Sequence, residues 1–230
     1  MQNNLKAAVL AALLLAPAAA FAQDSEGSNF SWNAGVVSDY VFRGVSQSNR
    51  DVAFQGGVDY AFGDSGFYAG AWGSNVDFQD IDGAGPNVEV DLYVGYNTDF
   101  SENVNFDVML TRYTYHGAEA AYGNIDYNEL ITKVALKDVA TLTVGYTNDY
   151  SNSGENVTYV NLGHGWDLGG EYTLNAGFGR TFSDFGDYND WNVGVSKSFK
   201  GIEFGLNYYD TNIEGPRVSD AVVLSMTIGG

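Results

Sequence analysis

Beyond Ser28 the chain alternates apolar and polar residues with a period of two, almost without interruption. Phe30, Trp32, Ala34 and Val36 fall on one side, with Ser31, Asn33 and Gly35 on the other. Val52, Phe54, Val58, Tyr60 and Phe62 oppose Gln55, Gly57 and Asp59, and Val88, Val90, Leu92, Val94 and Tyr96 oppose Glu89, Asp91, Tyr93 and Gly95. The same alternation recurs around Val104–Leu110, Leu130–Leu136, Ala140–Tyr146, Val160–Leu162, Tyr172–Phe178, Trp191–Val195, Ile202–Tyr208 and Val222–Ile228. Successive side chains of a strand point to opposite faces, so each stretch predicts a strand with one apolar and one polar face. With Tyr68–Ser74 included there are about twelve of them. Many approach the roughly nine to eleven residues that a tilted strand needs to cross a bilayer.

The connections alternate in length. Short ones fall near Gly63–Gly66, Thr98–Asn103, Lys137–Asp138, Asp167–Gly170 and Lys200–Gly201. Longer polar ones fall at Val45–Asp51, Val76–Asn87, His116–Asp126, Asn148–Glu155, Ser183–Asp190 and Asp210–Ser219. Tight turns at one end and long loops at the other are the asymmetry of bacterial outer-membrane barrels. The expected fold is therefore all-β, a transmembrane antiparallel up-and-down barrel of about twelve strands. An even strand number places both ends of the barrel at the tight-turn, periplasmic side. The alternative is a soluble periplasmic sandwich. Its outward face should carry many Lys and Glu, and its edge strands protective Lys or Pro. Here the polar face is mostly Gly, Asn, Thr, Asp and Tyr.

The first 22 residues read as an address label. Lys6 supplies a positive start, Ala7–Ala16 an apolar run too short to span a bilayer, and Ala20-Phe21-Ala22 a small-x-small cleavage pattern. Cleavage after Ala22 would leave residues 23–230 as one barrel domain, and no Cys follows the site to make a lipoprotein. Exported and membrane-inserted, such a chain belongs in the outer membrane. Its partners would be outer-membrane lipid, lipopolysaccharide, the barrel-insertion machinery and small hydrophilic solutes. The whole chain carries 29 acidic against 10 basic residues, a formal charge of −19. Nucleic acid, whose phosphates require a basic face, is excluded as a partner. The absence of Cys excludes disulfide frameworks and thiolate metal sites. Tyr, Phe and Trp make up 15% of residues, with 29 Gly and only 3 Pro, a balance foreign to helical soluble enzymes.

Three blocks carry a family resemblance. Val37-Ser38-Asp39-Tyr40-Val41-Phe42-Arg43-Gly44-Val45-Ser46-Gln47-Ser48 resembles the opening signature of the proteobacterial TorF family, also called the Gcw_chp family of unknown function. Phe67–Phe78 and Glu89–Tyr96 resemble its next two blocks. The resemblance implies an outer-membrane pore and brings with it no catalytic or binding residues. In one respect the chain departs from barrel habit. Such barrels usually finish their last strand on Phe, Tyr or Trp, whereas this chain finishes Thr227-Ile228-Gly229-Gly230.

Catalysis has little to work with. The two histidines, His116 and His164, lie in no nucleophile or metal-ligand spacing. His116 opens a predicted outer loop with Glu119 and Asp126, the best basis for an outer-membrane hydrolase; a solvated loop histidine is the plainer reading. His164 is expected to mark a strand end. Asp77, Asp80 and Asp82 suggest a calcium loop but lack its full ligand pattern and closing Glu. No catalytic residue, resident metal or cofactor is expected.

The lumen is where function is expected. Parity turns Asp59, Glu89, Asp91, Asp107 and Glu203 inward, with Arg43 sharing that parity on the first strand and Tyr93 and Tyr113 on the same face. These eight are the expected pore-lining residues. Acids facing one or a few arginines would favour cations or zwitterions, or they would simply hydrate the wall. Arg112 and Arg180 have outward parity at outer strand ends, within reach of lipopolysaccharide phosphates. Trp32, Tyr60, Tyr96, Tyr146, Tyr172, Trp191 and Tyr208 would form the interfacial girdle. The sequence thus reads as a cation-preferring porin for small hydrophilic solutes. A closed structural or adhesive barrel is the alternative, and an outer-membrane hydrolase a more distant one.

Overall fold

The computed structural model describes residues 29–78, 84–215 and 217–230, so the signal-peptide expectation and the loop acids Asp80 and Asp82 lie outside the described residues. Twelve antiparallel strands close into a barrel: β1 (Phe30–Val37), β4 (Ala53–Ala61), β5 (Phe67–Asn75), β6 (Val88–Ser101), β7 (Val104–His116), β8 (Tyr127–Leu136), β9 (Ala140–Thr147), β10 (Val157–Gly169), β11 (Tyr172–Ser183), β12 (Tyr188–Phe199), β13 (Ile202–Thr211) and β14 (Ala221–Gly229). Two further short strands, β2 (Val41–Phe42) and β3 (Val45–Ser46), form a separate hairpin.

Every wall strand pairs with its neighbour in the chain, and β1 closes the ring against β14 from Asn33↔Gly229 to Val37↔Ser225. Two backbone bonds between Trp32 and Gly230, of 2.8 and 3.0 Å, extend that seam to the last residue. Closure is required because lipid offers no partner to an open edge. The register keeps the parity intact around the ring. In the longest ladder Val88 faces His116 and Ser101 faces Val104, with a register shift between Asp99 and Ser101 at the short-turn end.

The apolar face points outward, as the alternation requires. Phe54, Phe67, Leu92, Val94, Leu110, Leu130, Leu162, Phe178, Leu206, Val222 and Leu224 are exposed on the barrel's outer surface. Of the expected girdle, Trp32, Tyr60, Tyr146 and Tyr172 are exposed there. At the short-turn end the aromatic pairs Tyr60–Phe62, Phe67–Tyr96 and Phe100–Phe106 stand 4.9–5.6 Å apart between ring centroids.

Two sequence expectations change. His164 is not at a strand end: it sits within β10 opposite Ala176, its ring edge-on to Trp166 at 4.7 Å. Strand β10 runs on to Gly169, so the tight turn comes later than expected. Arg112 and Arg180 lie near outer strand ends, but each meets a carboxylate of the next connection, Asp126 at 3.3 Å and Asp187 at 3.0 Å.

The outward face generates a depth-dependent prediction. Leu162→Arg, halfway along β10, should lower folding free energy in lipid vesicles by about 2–4 kcal/mol, whereas Leu168→Arg near the interface should cost about 0–1 kcal/mol. Equilibrium denaturant titration of the two variants checks the difference.

Candidate functional site: the lumen

The first long connection, residues 38–52, turns back into the barrel. Locally the sequence builds a self-contained hairpin. Arg43 and Gly44 form its two-residue tip with φ of 50° and 77°, the left-handed pair that a tight hairpin turn demands. Ser46 and Ser48 donate to the Asp39 carboxylate at 2.6 and 3.1 Å, and the Tyr40 amide donates to Ser48 Oγ at 2.9 Å. Arg43 is therefore not on the first strand, where parity had placed it. Strand β1 ends at Val37, and Arg43 reaches the lumen at the tip of β2–β3. The block that carries the family resemblance includes this inward hairpin.

The tip is held from several sides. Arg43 Nη2 lies 2.7 and 2.8 Å from the two Glu129 oxygens, and both side chains are buried. Tyr113 donates a third bond to Glu129 at 3.0 Å. The guanidinium also stands 4.4 Å over the Tyr159 ring, and Tyr188 donates to the Arg43 carbonyl at 3.1 Å. Gly44 packs on Thr211 and Asp190, where an added Cβ would stand 2.9 Å from Asp190 Cβ. The hairpin thus touches β8, β10, β12 and β13 and crosses the outer half of the lumen. Gly145 leaves the space the ion pair needs, since a Cβ there would come within 2.7 Å of Glu129 Oε1 and 2.9 Å of Arg43 Nη2.

The remaining inward residues form two tiers. Glu89, Asp91 and Tyr113 lie with Glu129 and Asp190 in the outer half, all buried. Toward the short-turn end Tyr93 donates to Asp59 at 2.5 Å, and Tyr68 donates to both Asp107 oxygens at 3.0 and 3.1 Å. Lys133 faces Asp107 across the β7–β8 ladder, and Glu203 is half-buried at the inner end of β13. An apolar cluster of Tyr93, Met109 and Ile131, backed by Tyr68 and Trp72, fills the β5–β8 side. The opposite wall is built differently. Gly177, Gly194 and Gly205 lie beneath the side chains of Asn192, Asn207 and Ser225, giving that side a thin polar lining.

Glu129, Lys133 and Asp190 were not among the residues singled out from sequence. The signal existed: Leu130 and Val134 face outward, so Glu129 and Lys133 must face inward, and Asp190 neighbours the outward Trp191. The long-loop histidine gathers no catalytic set. His116 Nε2 lies 3.1 Å from Thr114 Oγ1, while Asp126 accepts from the Tyr115 amide at 2.9 Å and from Arg112. Among the described residues no three His, Cys, Asp or Glu are gathered as a metal-ligand group.

Comparisons with known proteins agree on the architecture. The profile of a bacterial protein family of unknown function, Gcw_chp, matches residues 21–225. No curated protein matches the chain. Among solved structures it is similar to the KdgM porin, with 10% identity, a TM-score of 0.50, and 86% of this chain and 96% of that one covered. It is equally similar to the NanC porin, with 10% identity, a TM-score of 0.50, and 87% and 97% covered. A membrane protein crystallised in meso gives 9% identity, a TM-score of 0.53, and 87% and 83% covered. Identities this low show the fold alone: a porin-like barrel of the outer-membrane type.

The ion pair at the hairpin tip sets a measurable coupling. Glu129→Gln leaves a buried guanidinium without its counter-charge and should cost about 3–5 kcal/mol, whereas Arg43→Met combined with Glu129→Leu should be close to neutral. Denaturant midpoints of the Glu129→Gln variant and of the double variant in micelles test this.

Proposed function

The chain belongs to the Gcw_chp family of bacterial proteins of unknown function, and from the geometry of its lumen we propose that it is an outer-membrane channel for small hydrophilic solutes. The carrying observation is the asymmetric lumen. Below the hairpin tip one side is packed by Tyr93, Met109, Ile131, Tyr68 and Trp72, while the other carries Gly177, Gly194 and Gly205 under Asn192, Asn207 and Ser225. That thin wall, beside the inward hairpin, is the proposed route. A solute passing it meets amide and hydroxyl groups that can replace its hydration.

A preference for cations is part of the proposal. The lumen acids Asp59, Glu89, Asp91, Asp107, Glu129, Asp190 and Glu203 outnumber Arg43 and Lys133, and Arg43 is already held by Glu129. Arg43, Asp59, Glu89, Asp91, Tyr93, Asp107, Tyr113 and Glu203 are proposed as pore-lining, with Glu129, Lys133 and Asp190 added. Passage needs no covalent step, so the proposed role is non-enzymatic. The plug supports a second reading, a closed barrel, because the tip is bonded to the wall on several sides.

Planar-bilayer recording of the refolded protein under a salt gradient separates the two. A channel gives discrete steps with a cation-selective reversal potential; an inserted but silent protein means a closed barrel. Replacing Asp59, Asp107 and Glu203 together by their amides should move the reversal potential toward zero, and an unchanged potential would remove the inner acids from the selectivity mechanism. Gly177→Leu adds bulk where only the flexible Asn192 and Asn161 side chains lie close, so it should roughly halve conductance while the barrel still folds.

A further inference from the structure

Charge within the outer tier does not balance. Glu89, Asp91 and Glu129 are 2%, 3% and 1% exposed, and the nearby guanidinium of Arg43 is taken up by Glu129. Glu89 and Asp91 lie two residues apart on the inward face of β6, with their carboxylates within hydrogen-bonding reach of each other. Tyr115 donates to Glu89 Oε1 at 3.3 Å, and the Tyr40 hydroxyl, brought in by the plug segment, also reaches Glu89. The other oxygens, Glu89 Oε2 and Asp91 Oδ1, are buried and meet no donor. A buried carboxylate with unpartnered oxygens is costly to keep charged unless a positive charge faces it or it takes up a proton.

We propose that Glu89, Asp91, Tyr40 and Tyr115 form a binding site inside the lumen for one hard divalent cation of the Ca²⁺ type. Two carboxylates balance its charge, and the unpartnered oxygens supply the anionic ligands. The phenol oxygens and water complete an all-oxygen shell of the kind such ions select. Thiolate or imidazole metals find nothing suitable there. Because Tyr40 comes from the plug segment and Glu89 from the wall, the ion also ties the hairpin to β6, on the side away from its contacts with β12 and β13. Tyr40 is already seated against the wall at this point, its ring edge-on to Trp72 at 5.5 Å. The site does not depend on permeation, since a closed barrel could hold the ion equally well.

Tb³⁺ bound beside tyrosines is excited through them, so it serves as the probe for the folded protein in detergent. The expected result is tyrosine-sensitised Tb³⁺ emission that Ca²⁺ displaces. Glu89→Gln with Asp91→Asn should weaken it at least about tenfold. Replacing Asp77, Asp80 and Asp82 of the following outer connection should leave it unchanged. Emission that survives the Glu89/Asp91 change, or that disappears with the Asp77/Asp80/Asp82 change, assigns the ion to the outer loop and overturns the site. No emission from the wild-type barrel means that the two carboxylates share a proton instead, and also overturns it. Should the double variant fail to refold, Tyr115→Phe keeps both carboxylates. The Ca²⁺ concentration for half-displacement should then rise several-fold, and an unchanged value rejects the site.

Discussion

The structure depends on backbone hydrogen bonds that lipid cannot supply. A strand in the hydrocarbon layer must find both neighbours within the protein, so the sheet has to close on itself. Here β1 and β14 make that closure, and the Trp32–Gly230 bonds carry it to the end of the described chain. Once the ring is closed, the period-two alternation has one consistent solution: aliphatic and aromatic side chains outward, Gly, Asn, Thr, Tyr and acids inward.

Closure with twelve strands also makes the interior narrow, and side chains occupy much of it. Tyr93, Met109 and Ile131 pack as a small core where a wider barrel would hold water. Tyrosine rings lie over glycines of the neighbouring strand, Tyr68 over Gly95 and Tyr93 over Gly70, where an added Cβ would come within 2.6 Å of the ring. The glycines that make this chain look loose in composition are therefore close-packing positions on both walls, under tyrosine rings on one and under Asn and Ser side chains on the other.

Into this interior the chain inserts a hairpin whose tip charge, Arg43, is matched by one wall carboxylate. A buried pair of this kind adds little net stability, because desolvation offsets most of the attraction. Its effect is on register. Only one seating of the tip brings the guanidinium to Glu129, Gly44 to Asp190 and the Arg43 carbonyl to Tyr188. The surplus of acids around it is the charge balance on which the proposed cation preference rests.

Much was legible from the sequence, for local reasons. Alternation is a property of neighbouring residues, so strand number, outward face and the long–short order of the connections could be read directly. Inward parity of Asp59, Glu89, Asp91 and Asp107 followed from it. The same rule held the signal for Glu129 and Lys133, beside the outward Leu130 and Val134. It misplaced Arg43, because parity counts along a strand and the strand had ended at Val37. Asp39, Ser46, Ser48 and the Arg43-Gly44 tip encode the hairpin locally, but nothing local says that it folds inward. That depends on partners 86 and 145 residues away, Glu129 and Tyr188. The sequence alone determined the barrel and the two faces of its wall, because both follow from a two-residue period. Only the tertiary structure decided what fills the lumen, because that is set by which distant side chains closure brings together.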